Sequence, residues 1–176
     1  MLLAEKKRAD YFLDLRKKQF SPIFIIAGMN ILMTRILVLC TGNSARSQIA
    51  EGLLRQLGGK EFEVHSAGTH PAGMVHPVAI EAMKERGIDI SKQRSKAMSR
   101  FVGKPFDYVI TVCDDAYQEC PFFPGAKHQL HWSTPDPSFV GGSQDERLDA
   151  FRLTVNSLET RVKEFLPNIP KTENTT

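Results

Sequence analysis

Apolar residues along this chain follow two alternating rhythms. Ile36-Leu37-Val38-Leu39 is a short unbroken apolar run, the pattern of a strand buried on both faces of a parallel sheet. A polar loop from Cys40 to Ser47 follows it. Ile49, Leu53, Leu54 and Leu57 then recur at helical spacing until Gly58-Gly59 stops them. The alternation continues with Phe62-Glu63-Val64-His65-Ser66-Ala67 as a second strand and a Gly/Pro loop through Pro77. Val78-Ala79 and Ala82-Met83 predict a helix ending at Gly87. Asp107 to Cys113 reads as another buried strand, again ending in a cysteine, and His128 to Trp132 as a short last one. Leu148, Phe151, Val155, Leu158, Val162 and Phe165 step by 3 and 4, a long amphipathic helix ended by Pro167. Strands alternating with helices at this interval predict right-handed βαβ units. The expected fold is a single three-layer α/β/α domain around a central parallel sheet of about four strands.

The length of 176 residues fits one domain plus some surplus. The surplus lies at the ends: 1–32 is expected to be an N-terminal extension, a mis-called start or disordered, with the domain over 33–168 and a disordered tail over 169–176. Met33 stands just before the first clear strand. Charge sharpens this division. Residues 1–32 hold six Lys/Arg and three Asp/Glu, leaving 17 of each sign in the rest, so the net +3 belongs wholly to the N-terminal stretch. The body shows no basic cluster with interleaved aromatics, which excludes a nucleic-acid surface. The apolar segment from Phe20 to Met33 is too short for a membrane span and is broken by Ser21, Pro22, Gly28 and Asn30. No small-x-small cleavage site precedes Thr34, so a signal peptide is not expected either. The reading is a cytoplasmic protein, by default a monomer, that works at no membrane.

Three cysteines, Cys40, Cys113 and Cys120, are too few and too odd in number for a secreted disulfide scaffold. Without a CxxC pair they make a poor zinc site, and His128 and His131 offer no compelling fourth ligand, so no metal is expected. Catalysis is the reading that fits. A strand that ends in a loop and opens directly onto a helix aims backbone N–H groups and a positive dipole end at one point, an oxyanion cradle. Here the cradle is Cys40-Thr41-Gly42-Asn43-Ser44-Ala45-Arg46-Ser47. Its C-x5-R spacing lets the guanidinium of Arg46 close bidentately on an oxyanion while the sulfur faces the central atom. The same field is expected to lower the Cys40 pKa from the free value of about 8.5. Ser47 can donate a hydroxyl to the thiolate, and Asn43 can brace the loop. Asp136, held between Pro135 and Pro137, suits a positioned proton donor.

This loop, preceded by Val38-Leu39 and taken with Ser66-Ala67-Gly68 and Asp136-Pro137, resembles the low-molecular-weight tyrosine phosphatase superfamily across roughly residues 34–166. The resemblance implies Cys40 as nucleophile and Asp136 as general acid. Within that superfamily the chain looks like the thioredoxin-coupled arsenate reductases. The residues that carry this are the Cys40 loop, Glu51, Ser66, Cys113 and Cys120 followed by Pro121, His131-Trp132 and Asp136-Pro137. It implies a thiol relay in which Cys40 attacks arsenate, Cys113 attacks Cys40, and Cys120 attacks Cys113, with thioredoxin as electron donor. Phosphate and sulfate are the expected analogues of arsenate. The alternative is a phosphatase that hydrolyses phosphate monoesters through a phosphocysteine, with the other thiols as guards. Against it, Ser138 stands where the phosphatases carry an aromatic residue after Asp-Pro. An oxyanion sensor is a third, less economical reading.

No tightly bound cofactor is expected. Some of these reductases bind potassium beside the loop through an Asn, a Glu, a Ser and an Asp. Asn43, Glu51 and Ser66 match, but Lys96 aligns with the Asp, and its ammonium can take the cation's place. Geometry adds one expectation of its own. Were 113–120 helical, its end Cα atoms would lie about 10 Å apart, whereas a disulfide needs about 5.5 Å. The segment must therefore be irregular or unwind on oxidation.

Overall fold

The computed structural model of the protein describes residues 33–113, Ala116, Gln118 and 122–170, together with the backbone of Ile25–Ile26 and Met29–Asn30. The chain divides into two compact units, Met33–Lys171 and Met1–Leu32 with Thr172–Thr176. In the second, Ile25–Ile26 pairs antiparallel with Met29–Asn30. Most of the extension and the tail lie outside the described residues. Among the described residues no helix is long and apolar enough to cross a membrane.

The larger unit is built on β1 (Thr34–Cys40), α1 (Arg46–Gly58), β2 (Phe62–Gly68), α2 (Pro77–Lys84), β3 (Phe106–Thr111), β4 (Ala126–His131) and α3 (Gln144–Phe165). The four strands form one parallel sheet in the order β2-β1-β3-β4. The unbroken apolar run of β1 therefore occupies the centre, where both faces are covered, and Ile36 to Leu39 are fully buried. Alternation splits them: Ile36 and Val38 join the core beneath the three helices, while Leu37 and Leu39 face Phe101, Phe106 and Phe123. On the helical side the predicted stripe of α3, from Leu148 to Val162, packs with Ile49, Leu53 and Met83. Ser143 and Glu146 close the N-terminus of α3 as a reciprocal capping box.

Several boundaries differ from the sequence expectation, among them β4, which runs from Ala126 to His131 and not from His128 to Trp132. β3 ends at Thr111, so Cys113 lies two residues beyond the strand, although Val112 N still donates to Leu39 O at 2.8 Å. α2 ends at Lys84, and the chain turns through Gly87 at φ 73°, where a side chain would be strained. Because all four strands are parallel, the loops after β1, β2, β3 and β4 emerge at one edge of the sheet. That is where open α/β sheets place their sites.

Candidate active site

The loop between β1 and α1 is held by its carbonyls. Those of Cys40, Thr41, Gly42 and Ser44 accept the N–H groups of Thr69, His70, Ala72 and His76 at 2.8–3.2 Å, all from the loop after β2. The carbonyl of Asn43 accepts from Gln48 Nε2 at 3.0 Å, and Ser95 Oγ adds a second bond to Gly42 O. In a trans peptide each carbonyl points opposite the following N–H. Fastening five successive carbonyls outward therefore turns the five N–H groups of Thr41 to Ala45 toward the other side. Asn43 N is already there, donating to Cys40 Sγ at 3.1 Å. A rigid anion-accepting nest results, completed by the N-terminus of α1.

Close approach of the two loops depends on Gly68. A Cβ there would lie 2.4 Å from Thr41 O and 2.9 Å from Asn43 N, both backbone atoms. Asn43 itself sits at φ 45°, a left-handed conformation that Asn tolerates better than most residues. Its amide holds it there. Nδ2 donates to Ser47 Oγ at 2.9 Å and Ser66 Oγ at 2.8 Å, and Oδ1 accepts Lys96 N at 2.7 Å.

This network has a direction. Since Ser47 Oγ accepts from Asn43, its own proton is free to go to Cys40 Sγ, 2.8 Å away. Ser66 Oγ also accepts from Asn43 and donates to Glu51 Oε2. The carboxylate of Glu51 is buried and faces two cations, with Arg55 Nη2 at 2.7 Å and Lys96 Nζ at 3.4 Å. Nine successive residues from Arg46 to Leu54 are buried, so the first turns of α1 have no solvent face. The polar residues among them serve the loop.

Cys40 is 2% exposed, and burial pushes its thiol above the ordinary value. Hydrogen bonds from Ser47 and Asn43 pull it down, while the nearby Cys113 pushes it further up. This corrects the expectation of a lowered thiol. The physical reason is burial, which takes the sulfur out of water, while Arg46 is engaged elsewhere: its Nη2 makes a 2.5 Å ion pair with Asp136 Oδ2 and its Nη1 donates to Thr134 O at 3.1 Å. The charge meant to stabilise the thiolate is neutralised by the candidate acid.

Asp136 keeps its other oxygen on Ser138 N at 2.9 Å, at the start of the turn Pro137–Phe139. Cys113 is a free, buried thiol like Cys40, and its Sγ lies 3.4 Å from Thr41 Oγ1. The structure thus brings together Cys40, Thr41, Gly42, Asn43, Ser44, Ala45, Arg46, Ser47, Glu51, Ser66, Lys96, Cys113 and Asp136. Cys120 lies outside the described residues.

The sequence reading missed Gln48, Ser95, Thr134 and His76. Gln48 spans the carbonyls of Asn43 and Arg94 and is fully buried. His76 caps α2 by accepting Val78 N at Nδ1, stacks on Phe151 at 4.7 Å, and is held below its ordinary pKa by burial. Its signal was present as a polar residue directly before Pro77, a helix-start pattern. Gln48, Ser95 and Thr134 act through long-range contacts that have no local signature.

The sequence profile of the family described as low molecular weight phosphotyrosine protein phosphatase matches residues 35–175. The chain belongs to this family. Among its relatives, an arsenate reductase of Bacillus subtilis is 42% identical over 130 residues, which cover 74% of this chain and 93% of that one. In structure the chain is similar to a thioredoxin-dependent arsenate reductase of Corynebacterium glutamicum, at TM-score 0.60 and 32% identity over 81% of this chain and 63% of the other. It is also similar to a low molecular weight protein tyrosine phosphatase of T. tengcongensis, at TM-score 0.64 and 25% identity, covering 77% and 99%. The phosphatase-family fold agrees with the α/β expectation, and the loop described above lies within the matched region.

Proposed function

We propose that the protein reduces arsenate to arsenite through a three-thiol relay restored by thioredoxin. The observation that carries this is the second free thiol, Cys113, placed against the nucleophile loop. Hydrolysis of a phosphate ester needs only one. The arsenate reductases among its relatives support the same substrate.

Arsenate settles on the N–H groups from Thr41 to Arg46 and takes the Arg46 guanidinium from Asp136. Cys40 Sγ attacks arsenic, and the departing oxygen leaves as water with a proton from Asp136. Release of Asp136 from Arg46 leaves the guanidinium to the arsenate and the Cys40 sulfur, and turns the carboxyl to the departing oxygen. The Cys113 thiolate, supported by the Thr41 hydroxyl, then attacks Cys40 Sγ. The S–As bond breaks, its electron pair goes to arsenic, and arsenite departs, leaving a Cys40–Cys113 disulfide. Attack by Cys120 on Cys113 frees Cys40 and passes the disulfide on to thioredoxin. Ala116 and Gln118, between the two cysteines, are helical, and a Cys113–Cys120 bond needs Cα atoms about 5.5 Å apart, closer than a continuous helix over that span allows.

Lys96 serves this reading as the resident cation. Its ammonium contacts Glu51 where a potassium ion would brace the loop. Turnover is therefore expected to be equal in potassium and sodium salts. Lys96→Met is expected to lower kcat about tenfold, as the loss of a partly buried charge partner costs roughly 1–3 kcal/mol. Strong activation of the wild type by potassium would overturn this role.

The coupled assay tests the function itself: arsenate-dependent NADPH oxidation with thioredoxin and thioredoxin reductase. Sustained turnover is the expected result. A protein inert to arsenate that cleaves aryl phosphates steadily through Cys40 would be a phosphatase. Weak ester hydrolysis beside arsenate turnover is expected, because both substrates use one cradle.

A further inference from the structure

Arsenate is a small inorganic anion with no apolar surface, yet two loops at the sheet edge that carries the site expose large apolar side chains. Phe139 is 88% exposed, Met74 63% and Val140 43%. Met74 sits between Ala72 and His76, whose N–H groups bind Gly42 O and Ser44 O, so it stands directly beside the nucleophile loop. Phe139 ends the turn that Asp136 caps. Both belong to loops at the strand ends from which Cys40 and Cys113 emerge.

The same loops lack charge. Apart from His70 and His76, residues 69–80 and 137–144 contain no ionisable side chain, in a chain that is 24% charged. Exposed apolar side chains carried on uncharged loops have the composition of the centre of a protein interface. Of the other exposed large apolar residues described, Leu57 and Leu153 lie on α1 and α3, and Val102 and Phe122 in other loops.

We infer that Met74, Phe139 and Val140 form the docking surface for the protein dithiol that reduces the relay, an uncharged partner surface with apolar side chains around its own thiols. This rests on the reductase reading. The relay ends each cycle as a disulfide at this edge, and a protein dithiol must seat there to reach it. A thiolate of the partner attacks one relay sulfur, and the other leaves as a thiolate that takes up a proton. The partner's second thiol then breaks the mixed disulfide. The partner becomes a disulfide, and both relay cysteines return as thiols, two electrons having moved.

The test compares wild type, Met74→Ser, Phe139→Ser and the distant control Leu153→Ser, using the full chain. The KM for thioredoxin is expected to rise about tenfold in the first two variants and to stay unchanged in the control. The KM for arsenate and turnover driven by dithiothreitol are expected to hold throughout. An unchanged thioredoxin KM in an active enzyme overturns the docking surface and leaves the relay standing. A raised arsenate KM overturns it in favour of a substrate-pocket role. A wild-type dimer that Phe139→Ser converts to monomer, with thioredoxin kinetics unaltered, overturns it in favour of a second copy. A wild type inert to arsenate with either reductant overturns both proposals.

Discussion

Replacing Cys40 with serine is expected to lower arsenate turnover at least about 10⁴-fold, because the reaction begins with covalent attack by this sulfur. The fold is expected to survive. A hydroxyl is smaller than a thiol and can still accept Asn43 N and pair with Ser47, the two contacts at 3.1 and 2.8 Å that Cys40 makes now. A loss of about 1 kcal/mol corresponds to roughly 2–4 °C in Tm for a chain of this size. Phosphate binding, measured by calorimetry, is expected to change little, since the loop N–H groups and Arg46 remain. Retained binding with lost turnover separates the nucleophile from a merely structural thiol. Residual turnover above a few per cent would assign the attack to another group.

Asp136→Asn is expected to act in two opposite directions. Arsenate turnover falls about 10²–10⁴-fold, the usual contribution of a positioned general acid. Alkylation of Cys40 by iodoacetamide near neutral pH rises, by about threefold to tenfold. The second effect follows from the ion pair. Arg46 is held by Asp136 at 2.5 Å, and the Cys40 thiol stands above its ordinary value through burial. Removing the carboxylate charge returns the guanidinium field to the sulfur and favours its thiolate. In the wild type, alkylation is accordingly expected to rise steeply with pH through values above the ordinary thiol range, and in Asp136→Asn this rise shifts to lower pH. A parallel fall of both turnover and alkylation would show instead that the substitution disorders the loop.

The sequence made the parallel sheet legible because β1 is buried on both faces and so cannot alternate, while α3 has one solvent face and so must. It made the loop legible for a different reason. Cys40, Asn43, Arg46 and Ser47 lie within eight successive residues, and their spacing carries their geometry. The bracing group was readable only in part: Glu51 and Ser66 came with the family pattern, and Lys96 as a departure from it. What stayed hidden was the closure of the site by distant groups. Gln48 reaches Arg94, Ser95 reaches Gly42, and Thr134 anchors Arg46 across 88 residues of sequence. The direction of the Cys40 shift was hidden too, since it depends on how completely the folded chain takes the sulfur out of water.

Sulfur chemistry after one turnover distinguishes a thiol relay from a reaction at Cys40 alone. Reduced enzyme is mixed with arsenate without any reductant, quenched with acid and alkylating agent, and its disulfides mapped by mass spectrometry. The wild type is expected to release one arsenite per chain and to carry a Cys113–Cys120 disulfide. Cys120→Ser is expected to release one arsenite and stop as Cys40–Cys113, and Cys113→Ser to release none. Wild-type levels of arsenite release from Cys113→Ser, or a wild type whose three thiols all remain reduced, would contradict the relay.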